Sequence, residues 1–436
     1  MGEDAVAWDF ETEPEFQEQL DWIENFVRTE VEPLDHVLDS PYDVKSAKRN
    51  KLVRPLQAEV RKRGLWGCHL GPELGGPGYG QVKLALMNEI LGTARFAPTV
   101  FGCQAPDTGN SEILAHYGTA EQKKKYLKPL LDNEIVSCFS MTEPQGGADP
   151  KVFKTRAVKD GDHWVINGEK WFSSNARYAS FLIAMVVTDP DHPDPYKRMS
   201  MFIVPADTPG LEIIRSVGIH VGEEGSHGYV RYKDVRVPAD HLLGERGQGF
   251  VVAQTRLGGG RIHHAMRTVG KVRKSFDMMC ERALSRETQG SRLADKQFVQ
   301  GMIADSWSEI EQFRLLVLRT AWRIDKYQDY LKVRKDIAAV KALMPGVFRN
   351  VVSRALHLHG SIGVSTEMPF TNQLIESFHM GLADGPTEVH KITVARQVLR
   401  DYKPTNGLFP AYHVPEVERR AMEKYGDLLA ATDDDL

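Results

Sequence analysis

The sequence is poor in the features that announce the commoner specialised classes. Its four cysteines, Cys68, Cys103, Cys138 and Cys280, stand far apart and form no CxxC. They read as buried thiols in a reducing compartment rather than as a disulfide framework. No apolar run is long enough to span a bilayer. The start, Met1-Gly2-Glu3-Asp4, is acidic and lacks the apolar stretch of a secretory signal or the character of a transit peptide. Val6 stands where a myristoylation signal needs Ser or Thr. A cytoplasmic location is therefore the expectation. There is no long block of lysine or arginine, and the formal net charge is −4. Both argue against a nucleic-acid or anionic-membrane partner. Internal repeats and low-complexity segments are absent as well.

What is present is ordinary globular composition, 42% hydrophobic and 26% charged over 436 residues, enough for two or three domains. Residues 14 to about 134 carry a helical pattern. Phe16, Leu20, Ile23, Phe26, Val27 and Val31 form one amphipathic stretch that ends near Pro33. A second helix stops at Gly64. The segment Pro72-Glu73-Leu74-Gly75-Gly76-Pro77-Gly78-Tyr79-Gly80 is glycine-rich. No strand leads into it, Pro77 interrupts it and no GK[ST] follows, so a helix-to-helix loop is expected rather than a phosphate cradle. Thr119 and Gln122 have the spacing of a capping box.

After about residue 135 the pattern changes to short strands: 135–142, 157–158, 164–166, 180–187, 199–204 and 228–232. Asp160-Gly161 and Asn167-Gly168 read as hairpin turns. From Gly249 the chain is helical again, over 249–285, 295–328, 331–358, 370–380 and 387–401, with Pro345 a predicted kink. The expected organisation is a mostly α chain with a central β domain. It comprises a helical domain (1–135), a β-barrel domain (136–248), a helix bundle (249–401) and a C-terminal extension (402–436). The extension has one predicted helix at 415–430 and a frayed end at Asp433-Asp434-Asp435.

One turn in this pattern carries chemistry. Asp384-Gly385-Pro386 combines a side chain that bonds its own backbone, a residue tolerant of positive φ and a residue of fixed φ. A helix follows from Thr387, so a carboxylate stands on a tight turn before a helix N-terminus. Read by itself, Asp384 is a residue that starts a helix.

Other segments change that reading. Met141-Thr142-Glu143-Pro144-Gln145-Gly146-Gly147-Ala148-Asp149, Asn167-Gly168-Glu169-Lys170-Trp171-Phe172-Ser173-Ser174-Asn175, Arg286-Glu287-Thr288-Gln289-Gly290 with Gln297, and His357-Leu358-His359-Gly360-Ser361-Ile362-Gly363 resemble, in order, the flavin motifs of the acyl-CoA dehydrogenases. The turn at 383–385 falls where that family has Tyr-Glu-Gly. Ala105-Pro106-Asp107-Thr108-Gly109-Asn110, the segment 256–264 and the segment 383–390 are most similar to the branch of family members ten and eleven and their bacterial relatives. The resemblance covers residues 14–401. The mammalian members carry further kinase-like domains, whereas the length here leaves room for the dehydrogenase unit alone.

The resemblance implies FAD and α,β-dehydrogenation of an acyl-CoA thioester. Asp384 would be the base, with a dry pocket raising its pKa toward working pH. Most of the family has Glu there, one methylene longer, and Ala383 replaces a large aromatic. A subgroup keeps its base on the helix at 251–270, where this chain has Gly260. The flavin would be held by Phe139, Met141, Thr142, Gly147, Ala148, Phe172, Ser174, Thr387 and Glu388. A neighbouring subunit of a homodimer or homotetramer would add Arg286, Thr288, Gln297, His357 and Gly360. The substrate would meet Ala148, Leu257, Arg261 and Gly385. Phe172 stands in place of a Trp, Ala148 often of a Ser, Gln289 of a Phe and His357 of a Gln. Long or branched acyl chains and an electron-transfer flavoprotein acceptor are implied.

Three alternatives stay open. An acyl-CoA oxidase shares the fold. Nitroalkane oxidase uses Asp at this turn, but the position seven after Asp384 is Lys391 rather than the Arg it relies on. A DNA-alkylation-response flavoprotein would need a basic tail, whereas this tail holds Glu416, Glu418 and Glu423. No metal is expected. His263 and His264 are adjacent and point about 100° apart on a helix, and neither they nor His357 and His359 have a supporting carboxylate or thiol pattern. All four read as buried or flavin-adjacent imidazoles.

Overall fold

The computed structural model describes residues 10–220, 224–405 and 407–430. The acidic start and the Asp433–Asp435 end lie outside the described residues. The chain divides into two compact units, Met1–Lys391 and Ile392–Leu436.

The N-terminal third of the first unit is helical. Helix α1 (Pro14–Phe26) buries Phe16, Leu20, Ile23 and Phe26 at three- and four-residue spacing. The chain then passes through a π turn (Val27–Val31) and a 3-10 turn (Glu32–His36) containing Pro33. Ser46 caps α2 (Ala47–Lys62) by accepting from the Arg49 amide, and α2 stops before Gly64 at φ 70°. The glycine-rich loop leads from there to α3 (Gly80–Leu91), and no strand precedes it. Then come α4 (Ala97–Val100), α5 (Asp107–Tyr117), α6 (Ala120–Gln122) and α7 (Lys128–Leu131). The Thr119–Gln122 capping box is formed in full.

Seven strands follow: β1 (Ser137–Ser140), β2 (Arg156–Asp160), β3 (His163–Ser174), β4 (Phe181–Val187), β5 (Met199–Pro205), β6 (Leu211–Val217) and β7 (His227–Pro238). Their order is β1-β4-β2-β3-β7-β6, with β5 on β4. A further pairing of β1 with β3, at Phe139 and Ser174, turns the sheet back on itself. β4 and β5 are buried along nearly their whole length, which is why they read as continuous apolar runs.

Two details depart from the sequence reading. Asp160-Gly161 does join β2 to β3, but Asn167-Gly168 is no hairpin turn. It lies inside β3 at a register shift against β7. Gly168 is needed there for close approach, since a Cβ would sit 2.6 Å from the Thr155 backbone. Strand β6 escaped the pattern because its residues are exposed or half-exposed and none is fully buried.

The last part of the unit is built on α8 (Gly249–Ser285), 37 residues and so roughly 55 Å long. A small hairpin, β8 (Glu287–Thr288) and β9 (Ser291–Arg292), joins it to α9 (Gln297–Tyr327). After these come α10 (Arg334–His359), α11 (Phe370–Met380) and α12 (Thr387–Leu399). α10 keeps its helical assignment through the buried Pro345. Ile262, Ala265, Met266 and Val269 of α8 share one core with Phe313 and Val317 of α9, Val340 and Met344 of α10, and Phe96 and Phe101 of the N-terminal part. α8 therefore fixes one side of the site against the rest of the unit. The boundary between the units falls inside α12, and the second unit carries the rest of that helix and α13 (Val414–Ala430). No helix among the described residues is long and apolar enough to cross a membrane.

Candidate active site

The turn after α11 is held by its own backbone. The amides of Leu382 and Ala383 both donate to the His379 carbonyl at 2.9 Å, and the Thr387 amide donates to the Gly381 carbonyl at 2.9 Å. The Thr387 hydroxyl donates to the same carbonyl at 3.2 Å. Asp384 and Gly385 have φ of 56° and 104°. The left-handed region costs most residues energy, and Asp is among the few that enter it readily. Two side chains then clamp the Asp384 carbonyl. Arg261 Nε donates to it at 3.0 Å, and His390 Nε2 lies 3.3 Å away, which makes Nε2 the protonated nitrogen.

The carboxylate itself faces α8. Its Oδ2 is 3.6 Å from His264 Nε2, and the side chain is 19% exposed. A Cβ at Gly260 would lie 3.6 Å from the same oxygen, ordinary contact distance, so no side chain covers that face of the acid. Burial pushes the Asp384 pKa up, but His264, Arg256, Arg261 and Lys341 outweigh it and hold the acid below the usual carboxylate range. The expected rise is thus reversed, because the pocket is buried yet ringed by positive charge. Burial pushes His264 down to about 4, so an ionised carboxylate stands beside a neutral imidazole at neutral pH. Lys341 is pushed down to about 8 by burial, and its ammonium bonds the Met380 carbonyl at the start of the turn.

The predicted flavin residues of the sheet form a second group. Phe139 on β1 faces Ser174 on β3. The Trp171 amide donates to the Thr142 carbonyl at 2.9 Å. Lys170 Nζ bonds the Met141 carbonyl at 2.7 Å and Glu143 at 2.9 Å, inside a fully enclosed ion pair. Glu143 also accepts from the Lys154 and Thr155 amides, so the Met141–Glu143 segment is fastened from both ends. A second register shift places Phe172 at φ 52° with its side chain 41% exposed. Gly147 packs against Thr142, where a Cβ would lie 3.1 Å from the threonine methyl. Ala148 is exposed.

Two contacts tie this group to the catalytic turn. The Ser174 hydroxyl pairs with His227 Nδ1 at 2.9 Å. His227 in turn stacks on His379, the residue whose carbonyl anchors the turn, with ring centroids 5.6 Å apart. Arg256 spans the same gap from α8. Its guanidinium lies 4.0 Å over the Phe139 ring, and its Nε donates to Asn110 at 2.9 Å. Leu257, one residue on, is buried.

The remaining predicted residues sit apart on exposed ends. Arg286 ends α8, Thr288 is in the β8–β9 hairpin and Gln297 begins α9; all three are exposed. His357 and Gly360 are exposed too, as is Glu388, which directly follows the catalytic turn in the first turn of α12. Among the histidines considered for metal, His359 is buried, with Nδ1 donating to the Ala355 carbonyl at 2.7 Å. His357 is exposed, so of the two environments expected for these imidazoles, buried or flavin-adjacent, it does not have the first. Among the described residues no group of three His, Cys, Asp or Glu side chains is placed to hold a metal ion. Of the cysteines, Cys68, Cys103 and Cys138 are buried as expected, but Cys280 is only half-buried.

A cavity of about 620 Å³ opens beside Gly260, walled by α5, α8 and the glycine-rich loop. Sequence reading missed several residues of the site, Arg256, Lys341, His227, His379 and His390, and left His264 as one of four buried or flavin-adjacent imidazoles. One signal was available. Arg256, Gly260 and His264 recur every four residues along α8, the spacing of a single helix face. The others come from distant segments with no shared pattern.

Three domain models of one family match the chain. The acyl-CoA dehydrogenase N-terminal domain covers residues 13–134, the middle domain 138–235 and the C-terminal domain 247–399. The chain is 39% identical over 396 residues to acyl-CoA dehydrogenase family member 11 of Gallus gallus, covering 88% of this chain and 50% of that protein. It thus spans about half the length of that relative. It is 38% identical over 403 residues to FadE2 of Mycobacterium tuberculosis, described as a probable acyl-CoA dehydrogenase, covering 91% of this chain and 94% of that protein. A solved structure assigned to the acyl-CoA dehydrogenases, from Mycobacterium abscessus, superposes with a TM-score of 0.83 at 36% identity, over 90% of this chain and 100% of that one.

Proposed function

The chain belongs to the acyl-CoA dehydrogenase family, and from that premise we propose that it oxidises an acyl-CoA thioester to the trans-2-enoyl-CoA, with Asp384 as the base. The observation that carries this reading is the Asp384 carboxylate itself. It is ionised, its backbone is clamped by Arg261 and His390, and its face toward Gly260 is open. A base must be deprotonated and held still before it can take a proton from a carbon acid. The positive surround supplies the first condition and the clamp supplies the second.

FAD is the cofactor, and when bound it supplies the acceptor for the β-hydride. The residues present fit it. Gly147 keeps the space beside the Thr142 side chain free of a Cβ, Phe172 offers an exposed aromatic face, and the Ser174 hydroxyl is already oriented by His227. Met141, Thr142 and Phe139 complete that wall, and Ala148, Thr387 and Glu388 border it. Arg286, Thr288, Gln297, His357 and Gly360 serve the flavin of a second subunit, which makes the enzyme a homodimer or homotetramer. Arginine is suited to a pyrophosphate through its paired donors. Leu257, Gly385 and Ala148 border the thioester, and electrons leave to an electron-transfer flavoprotein. The cavity beside Gly260 receives the acyl chain, and its size favours chains longer than butyryl.

The test is anaerobic bleaching of the flavin spectrum against a panel of acyl-CoAs, with the enoyl product identified. Bleaching by no member of the panel would overturn the reading. An optimum at butyryl-CoA would overturn the chain-length part. Rapid peroxide release in air would replace the dehydrogenase with an oxidase.

A further inference from the structure

His227 opens β7 and pairs across the sheet with Ser174, the last residue of β3. Its Nδ1 lies 2.9 Å from the Ser174 hydroxyl, and no other hydrogen bond joins either side chain to a described residue. The ring lies beside Phe172, with centroids 5.7 Å apart, and stacks on His379 at 5.6 Å. The imidazole therefore stands where the sheet residues of the flavin site meet the catalytic turn. Its Nε2 has no partner among the described residues and is not sealed from solvent.

Burial, with His379 adding to it, pushes the His227 pKa down to about 4, so at neutral pH the ring is neutral and carries one proton. That proton has two places. On Nδ1, the imidazole donates to the Ser174 oxygen, and the hydroxyl hydrogen is free to be donated elsewhere. On Nε2, Nδ1 accepts the hydroxyl hydrogen, and the Ser174 oxygen is left to accept. A hydroxyl tied to a backbone carbonyl or a carboxylate has no such choice, because that partner only accepts. The choice matters beside a flavin. The ring nitrogen that takes a hydride accepts a hydrogen bond when oxidised and donates one when reduced.

We propose that His227 is a positioning residue that lets the Ser174 hydroxyl reverse its hydrogen bond to FAD, donating to the oxidised ring and accepting from the reduced one, by shifting the imidazole proton from Nδ1 to Nε2. The shift is balanced: Nδ1 gives up one proton, Nε2 gains one through water, and the imidazole stays neutral. The inference rests on the reading above that Ser174 borders the flavin, and it gives that residue a part in both oxidation states. A donor left unmatched costs more than an unmatched acceptor. Loss of either member of the pair therefore falls harder on the reduced state, in which a hydrogen needs an acceptor.

The experiment uses the flavin-loaded enzyme without acyl-CoA, carrying histidine isotopically labelled at the ring nitrogens. NMR is read on the oxidised enzyme and on the enzyme fully reduced by dithionite, with His227→Asn assigning the resonances. Nδ1 should be protonated in the first state and Nε2 in the second. The same tautomer in both overturns the inference. The reduction potential of bound FAD is the second readout. His227→Leu and Ser174→Ala should each lower it by about 30 mV, the equivalent of a tenfold change for a two-electron couple. The double variant should fall no further than the larger single one, because His227 acts through Ser174. A His227→Leu shift that persists in full beside Ser174→Ala overturns the inference and makes the ring a mere support for His379. So does a silent His227→Leu when Ser174→Ala shifts the potential. A silent Ser174→Ala overturns both the inference and the place of Ser174 at the flavin, and leaves intact the acyl-CoA reading, which bleaching tests.

Discussion

Arg261 holds the catalytic turn by its backbone: its Nε donates to the Asp384 carbonyl at 3.0 Å, while its charge helps to keep the same residue's carboxylate ionised. The arginine thus acts on the acid twice, once by position and once by field. The family resemblance implied that it meets the substrate, and its attachment to a main-chain oxygen of the turn was not expected. Arg261→Met should keep FAD and bind acyl-CoA, yet reduce its flavin about tenfold more slowly or worse, the effect of about 1.4 kcal/mol on the barrier. Stopped-flow reduction under anaerobic conditions measures it. A wild-type rate would mean that His390 and the turn's own amides suffice.

Asp384→Asn should fold and load FAD, because Asn enters the left-handed region as readily as Asp. Its flavin reduction should fall by at least about 10²-fold, the usual scale for removing a positioned base. Asp384→Glu should retain measurable activity, since the face toward Gly260 has room for one more methylene. An Asn variant with the wild-type rate would remove Asp384 from the mechanism.

Glu112 gives stability a pH dependence whose sign can be worked out. Burial raises its pKa from 4.5 to about 7 in the folded protein. The folded state therefore binds this proton more tightly than the unfolded chain does. The associated stability is full below pH 4.5 and is lost as pH rises through about 7. The loss is at most on the order of 3 to 4 kcal/mol, at about 1.4 kcal/mol per pKa unit. Thermal unfolding of wild type and Glu112→Gln across this range should show a slope in the first that flattens in the second. Parallel curves would mean that Glu112 titrates normally.

Arg286→Ala should weaken FAD retention without disturbing the β1–β3 wall, since Arg286 is an exposed residue at the end of α8. Flavin content after gel filtration reads the loss of FAD, and molar mass by light scattering on the same column reads whether the subunits stay together. Monomers that keep a full complement of FAD would refute the role assigned to the second subunit.

Much of this protein is local and was legible. The long helices from Gly249 to Leu399 follow from a 3.6-residue apolar repeat, and the Thr119–Gln122 cap from its own spacing. The Asp384 turn was legible too, because turn chemistry is carried by the residues that make the turn. Asn167-Gly168 shows where local chemistry stops deciding. The same dipeptide serves a hairpin or a bulge, and here the close approach of Thr155 across the sheet selects the bulge.

The charge state of Asp384 and the polarity of the cavity belonged to the tertiary structure alone. The groups that lower the acid's pKa come from two long helices, Arg256, Arg261 and His264 on α8 and Lys341 on α10. The residues that wall the cavity come together from distant segments, His69 and Gln81 near the glycine-rich loop, Glu112 on α5 and His263 on α8. Electrostatic and hydrogen-bonding environments depend on distance in space. The sequence determined which acid would stand on the turn, and packing against α8 determined what that acid and its cavity can do.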